Sequence, residues 1–175
     1  MWETIAREAA AESPLWATAL LHSHERRAEA VFSPLGPEEL ALGVETIYEG
    51  YLVHYGRSRL FSPGDEDTAL LLGDYLYAHG LVRVAESGNV AAVSDLAELI
   101  SLCAQGRAEA PADGRDGDAA AWAATAARLG EGGLGDARDE LRLRGRHALL
   151  ESAAREAAGD EAFELARAAH ARLVG

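Results

Sequence analysis

Apolar side chains in this chain recur at steps of three and four, and that spacing constrains the fold more than any other feature. Leu40, Val44, Ile47, Tyr48, Tyr51, Leu52 and Tyr55 fall on one continuous helical face. Val93, Leu96, Ile100 and Cys103 repeat the pattern further on. No stretch alternates apolar and polar residues over a useful length, and β-branched residues are sparse. The expected fold class is therefore all-α, a helical bundle.

Punctuating residues divide the pattern into elements. A first helix is expected over Trp2 to Glu12. Ser13-Pro14 opens a second, with proline at a tolerated first-turn position, running to about Phe32 before the turn Ser33-Pro34-Leu35-Gly36. A third starts at Pro37 and stops near Gly56. Asp65, Glu66 and Asp67 place negative charge at the start of a fourth, which runs to about Glu86 and stops at Gly88. Asn89 caps a fifth, closed by Pro111. The polar stretch from Ala110 to Gly117 reads as a loop within one domain spanning 1–175. Three helices are expected beyond it, over 118–129, 136–158 and 160–173.

A length of 175 residues suits about one domain with a proper core. The single cysteine, Cys103, lies on an apolar helical face and reads as a core residue. Net charge is −13, and all 16 basic residues are arginine. A chain without lysine has no lysine phosphate cradle and no Schiff base. Its acidity opposes nucleic acid or an anionic membrane as partner. Apolar runs are too short for a membrane span, and Met1-Trp2-Glu3 opens an acidic segment unlike a secretory leader. The expected location is the cytoplasm.

An ordered series of short motifs narrows the reading. Glu45 stands three residues before Tyr48. Leu52-Val53-His54-Tyr55-Gly56-Arg57-Ser58-Arg59 follows, then Leu72-Gly73-Asp74-Tyr75-Leu76, then Gln105-Gly106. Over about 36–110 this series resembles the trans-polyprenyl diphosphate synthases of the isoprenoid synthase superfamily. In that family aspartates follow the L-V-H residues at i, i+1 and i+4. They hold magnesium ions that bind an allylic diphosphate and help it leave. Here those positions, after His54, are Tyr55, Gly56 and Arg59. The family's basic segment is reduced to a proline in Ala11-Glu12-Ser13-Pro14-Leu15. Its Arg-Arg-Gly loop has no room between Arg59 and Gly73, and no second D-D-x-x-D occurs.

The resemblance implies a reduced isoprenoid synthase-like bundle with a degenerate first aspartate motif at His54, Tyr55, Gly56 and Arg59. It implies no catalytic residue, no metal, no cofactor and no catalysis by the chain alone. The implied role is an accessory or regulatory subunit of a heteromeric prenyl synthase in isoprenoid biosynthesis. Its partner would be a full-length synthase, or a second copy meeting the helices around Val44 and Tyr75. Arg57 and Arg59 would contact an anion where magnesium once sat, or form a solvated loop edge or partner contact. The alternative is a stand-alone protein binding an apolar isoprenoid-like ligand in a pocket lined by Tyr48, Tyr51, Leu52, Tyr55 and Leu76; an aromatic stripe at this spacing is more often core. A third reading takes Glu45, Glu49, His54 and Asp74 as acid and base of an unrelated enzyme.

Two further patterns have plain readings. Arg138, Arg142 and Arg146 recur every four residues beside Asp139 and Glu140, as on a solvated face. Asp113, Asp116 and Asp118 are spaced loosely like a calcium loop, but the twelfth position is Ala124 where glutamate is needed, so an acidic flexible loop is expected.

Overall fold

A computed structural model describes residues 1–109 and 114–174. The described residues form an all-α bundle: α1 Trp2–Glu12, α2 Pro14–Ala19, α3 Ala41–Tyr55, α4 Glu66–Glu86, α5 Val90–Glu109, α6 Gly114–Ala127, α7 Gly135–Arg144, α8 Ala148–Ala158 and α9 Asp160–Val174. Short 3₁₀ turns at Ser33–Leu35 and Glu38–Leu40 lead into α3. Among the described residues, no helix is long and apolar enough to cross a membrane.

Caps sit where side-chain chemistry supplies them. Asp65 Oδ1 accepts the Thr68 amide at 2.7 Å, and Asn89 Oδ1 accepts the Ala92 amide at 2.9 Å. Ser13 accepts the Leu15 amide at 3.2 Å, with Pro14 opening α2. Gly88, at φ 77°, ends the α4 region in the left-handed conformation expected there.

Three boundaries correct the sequence reading. The second helix ends at Ala19 rather than near Phe32, because the following backbone finds partners outside a helix. The Leu21 amide bonds the Leu60 carbonyl at 2.9 Å and the Arg27 amide the Arg59 carbonyl at 3.0 Å. Leu20 also pairs with Phe61 in an isolated antiparallel bridge. The helix expected over 136–158 is two, broken at Gly145, whose φ of 64° a helix cannot accommodate. Of the loop expected over 110–117, residues 110–113, including Asp113, lie outside the described residues, and 114–117 open α6.

The centre of the fold is the antiparallel pair α3 and α4, packed glycine on glycine. A Cβ at Gly50 would stand 2.8 Å from the Gly73 carbonyl oxygen, and one at Gly80 2.9 Å from that of Gly43. The seven-residue spacing of Gly43 and Gly50, matched by Gly73 and Gly80, keeps these contacts on one seam. Two apolar cores flank the pair. The larger joins α3, α5, α6, α8 and α9 through residues such as Tyr48, Leu99, Trp122, Leu150 and Phe163. The smaller gathers Ile5, Ala9, Leu60, Phe61, Leu72 and Leu76 beneath α1.

Candidate functional site

Helix α3 carries two polar clusters, and both involve positions singled out by the motif series. The first is centred on Arg59, which is fully buried together with Glu45 and Glu49. Arg59 Nη1 bonds Glu45 Oε2 at 2.7 Å, and Nε bonds Glu49 Oε2 at 2.9 Å. Each remaining carboxylate oxygen is occupied by backbone. Glu45 Oε1 accepts the Val31 and Ser33 amides, both at 3.1 Å. Glu49 Oε1 accepts the Arg59 and Leu60 amides, both at 2.9 Å, and the Ser58 hydroxyl. The guanidinium lies 4.6 Å from the Trp2 ring centre and 5.0 Å from that of Tyr48. Burial works against its charge, but Glu49 and Glu45 outweigh burial and raise its pKa.

The anion-contact and loop-edge roles expected of Arg59 are thereby corrected, while Arg57 lies exposed at a loop edge. Arg59 contacts neither solvent nor a free anion, because two buried carboxylates already satisfy it. Arg57 is exposed, but its amide donates to the Leu173 carbonyl at 2.7 Å and its guanidinium to the Arg172 carbonyl, fastening the end of α3 to α9. Between them, Gly56 leaves room for α9: a Cβ there would stand 2.9 Å from the Leu173 oxygen.

The second cluster occupies the far side of α3. Tyr51 donates to Asp118 Oδ2 at 2.6 Å, Arg107 Nε donates to the same oxygen at 2.6 Å, and Arg107 Nη2 donates to the Tyr51 hydroxyl. The Arg107 guanidinium also covers the half-buried Tyr55 ring, 5.5 Å from its centre. Behind this group Tyr48 shares a 2.9 Å hydrogen bond with His170 Nδ1. Phe32, Tyr48, Tyr51, Trp122 and His170 stack edge and face, each within 6 Å of at least three of the others, as aromatic rings prefer. Two nitrogens in this nest, His170 Nε2 and Trp122 Nε1, are buried without a hydrogen-bond partner among the described residues.

Burial sets the electrostatics of the nest. It raises the Tyr48 and Tyr51 hydroxyls, with Asp118 adding to the effect at Tyr51. It raises Asp118 itself, against the opposing pull of Tyr51 and Arg107. Burial, then Asp118, drive the Cys103 thiol up, so it sits as an inert core residue. Burial, with help from Arg107, lowers His170 to about 3, leaving it neutral.

Other expected site residues disperse. His54 Nε2 lies 3.3 Å from Asp74 Oδ1, and burial lowers its pKa despite that carboxylate. The five positions expected to line one apolar pocket do not share a lining. Tyr48, Tyr51 and Leu52 are fully buried in the larger core, with Tyr55 packed at its edge, and Leu76 belongs to the smaller one. Val44 is buried, and Tyr75 stacks on Trp16 with ring centres 4.1 Å apart. Arg138, expected on a solvated face, is buried and bonds Asp95 and Glu98 at 3.1 Å. Glu45 and Glu49 are locked on Arg59, far from acting as an acid and base with His54.

Sequence reasoning missed Arg107, Trp122 and His170, and took Asp118 for part of an acidic loop. None stands in a local motif with its partners: Asp118 is 67 positions from Tyr51, and His170 is 122 from Tyr48. Among the described residues, no group of three or more His, Cys, Asp or Glu side chains is placed to hold a metal ion. Comparison with protein-family models, with curated proteins and with solved structures found no match.

Proposed function

We propose that this protein is a non-catalytic, polyprenyl synthase-like accessory subunit that acts by associating with a full-length prenyl synthase. The observation that carries the reading is the use made of the degenerate aspartate-motif positions. Magnesium chemistry needs two or three carboxylates facing one open site. At position 56 the backbone of α9 fills the space a carboxylate would need. At position 59 an arginine points inward to neutralise Glu45 and Glu49. Residues at these positions that serve packing support a chain without metal-bound diphosphate chemistry. The apolar-carrier alternative draws less support, since Phe32, Trp122 and His170 fill the space beside Tyr48 and Tyr51.

The test is reconstitution with labelled farnesyl diphosphate, isopentenyl diphosphate and magnesium. The purified chain alone should elongate nothing. Added to the full-length prenyl synthase of the same cell, it should form a complex and change the product chain length. Elongation by the chain alone, or a synthase indifferent to its presence, would refute the proposal.

A further inference from the structure

The end of α2 at Ala19 changes what two histidines can do. In a continuous helix His22 and His24, two positions apart, would point to different faces. The backbone instead leaves the helix in extended form at Leu20 and turns over 23–25. The Glu25 amide closes that turn on the His22 carbonyl at 2.8 Å. Here the two imidazole rings are neighbours, their centres 5.8 Å apart and their planes 10° from parallel. Both residues are exposed. The turn is fastened at each end. Leu21 and Arg27 donate their amides to the Leu60 and Arg59 carbonyls, at 2.9 and 3.0 Å. Arg26 Nε donates to the Leu21 carbonyl at 2.9 Å, and its Nη1 reaches Glu3 at 3.2 Å. Glu25 Oε2 accepts the His22 amide at 3.3 Å, which keeps a carboxylate within the same turn.

We propose that His22 and His24 form a surface site for a divalent transition-metal ion of the zinc, nickel and copper class, with the Glu25 carboxylate beside it. Spacing allows it. Imidazole binds zinc at about 2.0–2.1 Å, which puts the ring centre about 3.2 Å from the ion. Two rings on one ion therefore stand at most about 6.4 Å apart, and the observed 5.8 Å lies inside that span. Rotation of the two exposed side chains then suffices to bring a nitrogen of each onto one ion. Ligand type selects the metal: imidazole suits zinc, nickel and copper, whereas magnesium and calcium want oxygen. Two protein nitrogens leave coordination positions for the Glu25 carboxylate and for water. The described residues hold no preset group of three ligands, so the site assembles around the ion at the surface. A net charge of −13 raises the local concentration of any cation. The other histidines are engaged elsewhere: His54 with Asp74, His79 with Glu8, His147 with Glu151 and His170 with Tyr48. This site would stand whether or not the chain associates with a synthase.

Calorimetric titration of the purified full chain with zinc chloride should give one ion per chain with Kd below about 100 µM, and magnesium chloride should give no binding. His22→Gln and His24→Gln should each weaken zinc binding at least about tenfold, with helicity unchanged. His147→Gln should leave the affinity as it is. A native chain that binds zinc more weakly than about 100 µM overturns the inference. So does binding that survives both substitutions, or that is lost in His147→Gln instead. If the variants lose helicity, nuclear magnetic resonance of the native chain decides. Substoichiometric copper(II) that broadens the amides of 21–27 before any others supports the site, and broadening that begins elsewhere overturns it.

Discussion

The two polar clusters on opposite sides of α3 solve the same problem with different completeness. In the Arg59 cluster every carboxylate oxygen of Glu45 and Glu49 has a donor, and the cation has both acids plus the Glu29 carbonyl. In the aromatic nest the charges of Asp118 and Arg107 are paired, but His170 Nε2 and Trp122 Nε1 have no partner among the described residues. The difference teaches where this fold tolerates change. A fully matched buried ion group collapses when one member goes, because the others then bear an unpaired charge in a medium that cannot solvate it. In the nest, removing an aromatic member leaves the Asp118–Arg107 pair in place and loses mainly that group's own contacts.

Three experiments probe that contrast. Arg59→Met should have the largest effect, a loss of about 3–5 kcal/mol or failure to fold, because it strands two buried carboxylates. Equilibrium denaturation measures it, and a loss below about 1 kcal/mol would show that the carboxylates find other donors. Next in size is a pH dependence from the nest. His170 is held neutral with its pKa lowered from 6.5 to about 3, so the unfolded chain takes up a proton that the folded one refuses. Stability from this group is fully present above pH 6.5 and is lost as pH falls toward 3, by about 1.4 kcal/mol per unit. Between pH 6.5 and 5 that amounts to about 2 kcal/mol, and His170→Phe should flatten the corresponding slope. An unchanged slope would place the titration elsewhere. Smallest is Tyr51→Phe, expected to cost about 1 kcal/mol in the same assay, since Asp118 keeps Arg107 when the hydroxyl is gone. A cost as large as that of Arg59→Met would mean that the two clusters are equally coupled.

Much of the framework was legible beforehand. Three-and-four spacing located α3 and α5, the acidic start and Gly88 bounded α4, and Ser13, Asp65 and Asn89 announced helix starts through the hydrogen bonds their side chains offer the first turn. The end of α2 was not legible, because nothing local distinguishes a continuing helix from a strand-like segment held by Arg59, Leu60 and Glu45. Glu45 and Glu49 did leave a trace: carboxylates four residues apart, set among Val44, Ile47 and Tyr48, call for a buried counter-charge. Which of the sixteen arginines supplies it could not be told from the chain order. The resemblance puts Arg59 where the family has an aspartate at an open site, the opposite of its buried position in the fold.

The pattern of residues along the chain was enough to specify helices, their caps and the acidic, lysine-free chemistry, because these depend on side chains within a turn or two of one another. Packing alone settled the partners of Arg59, Arg107 and His170 and the filling of the space beside Gly56. Those outcomes rest on groups tens of residues apart being brought within hydrogen-bond reach, and direct interactions of that range exist only once the chain has closed on itself.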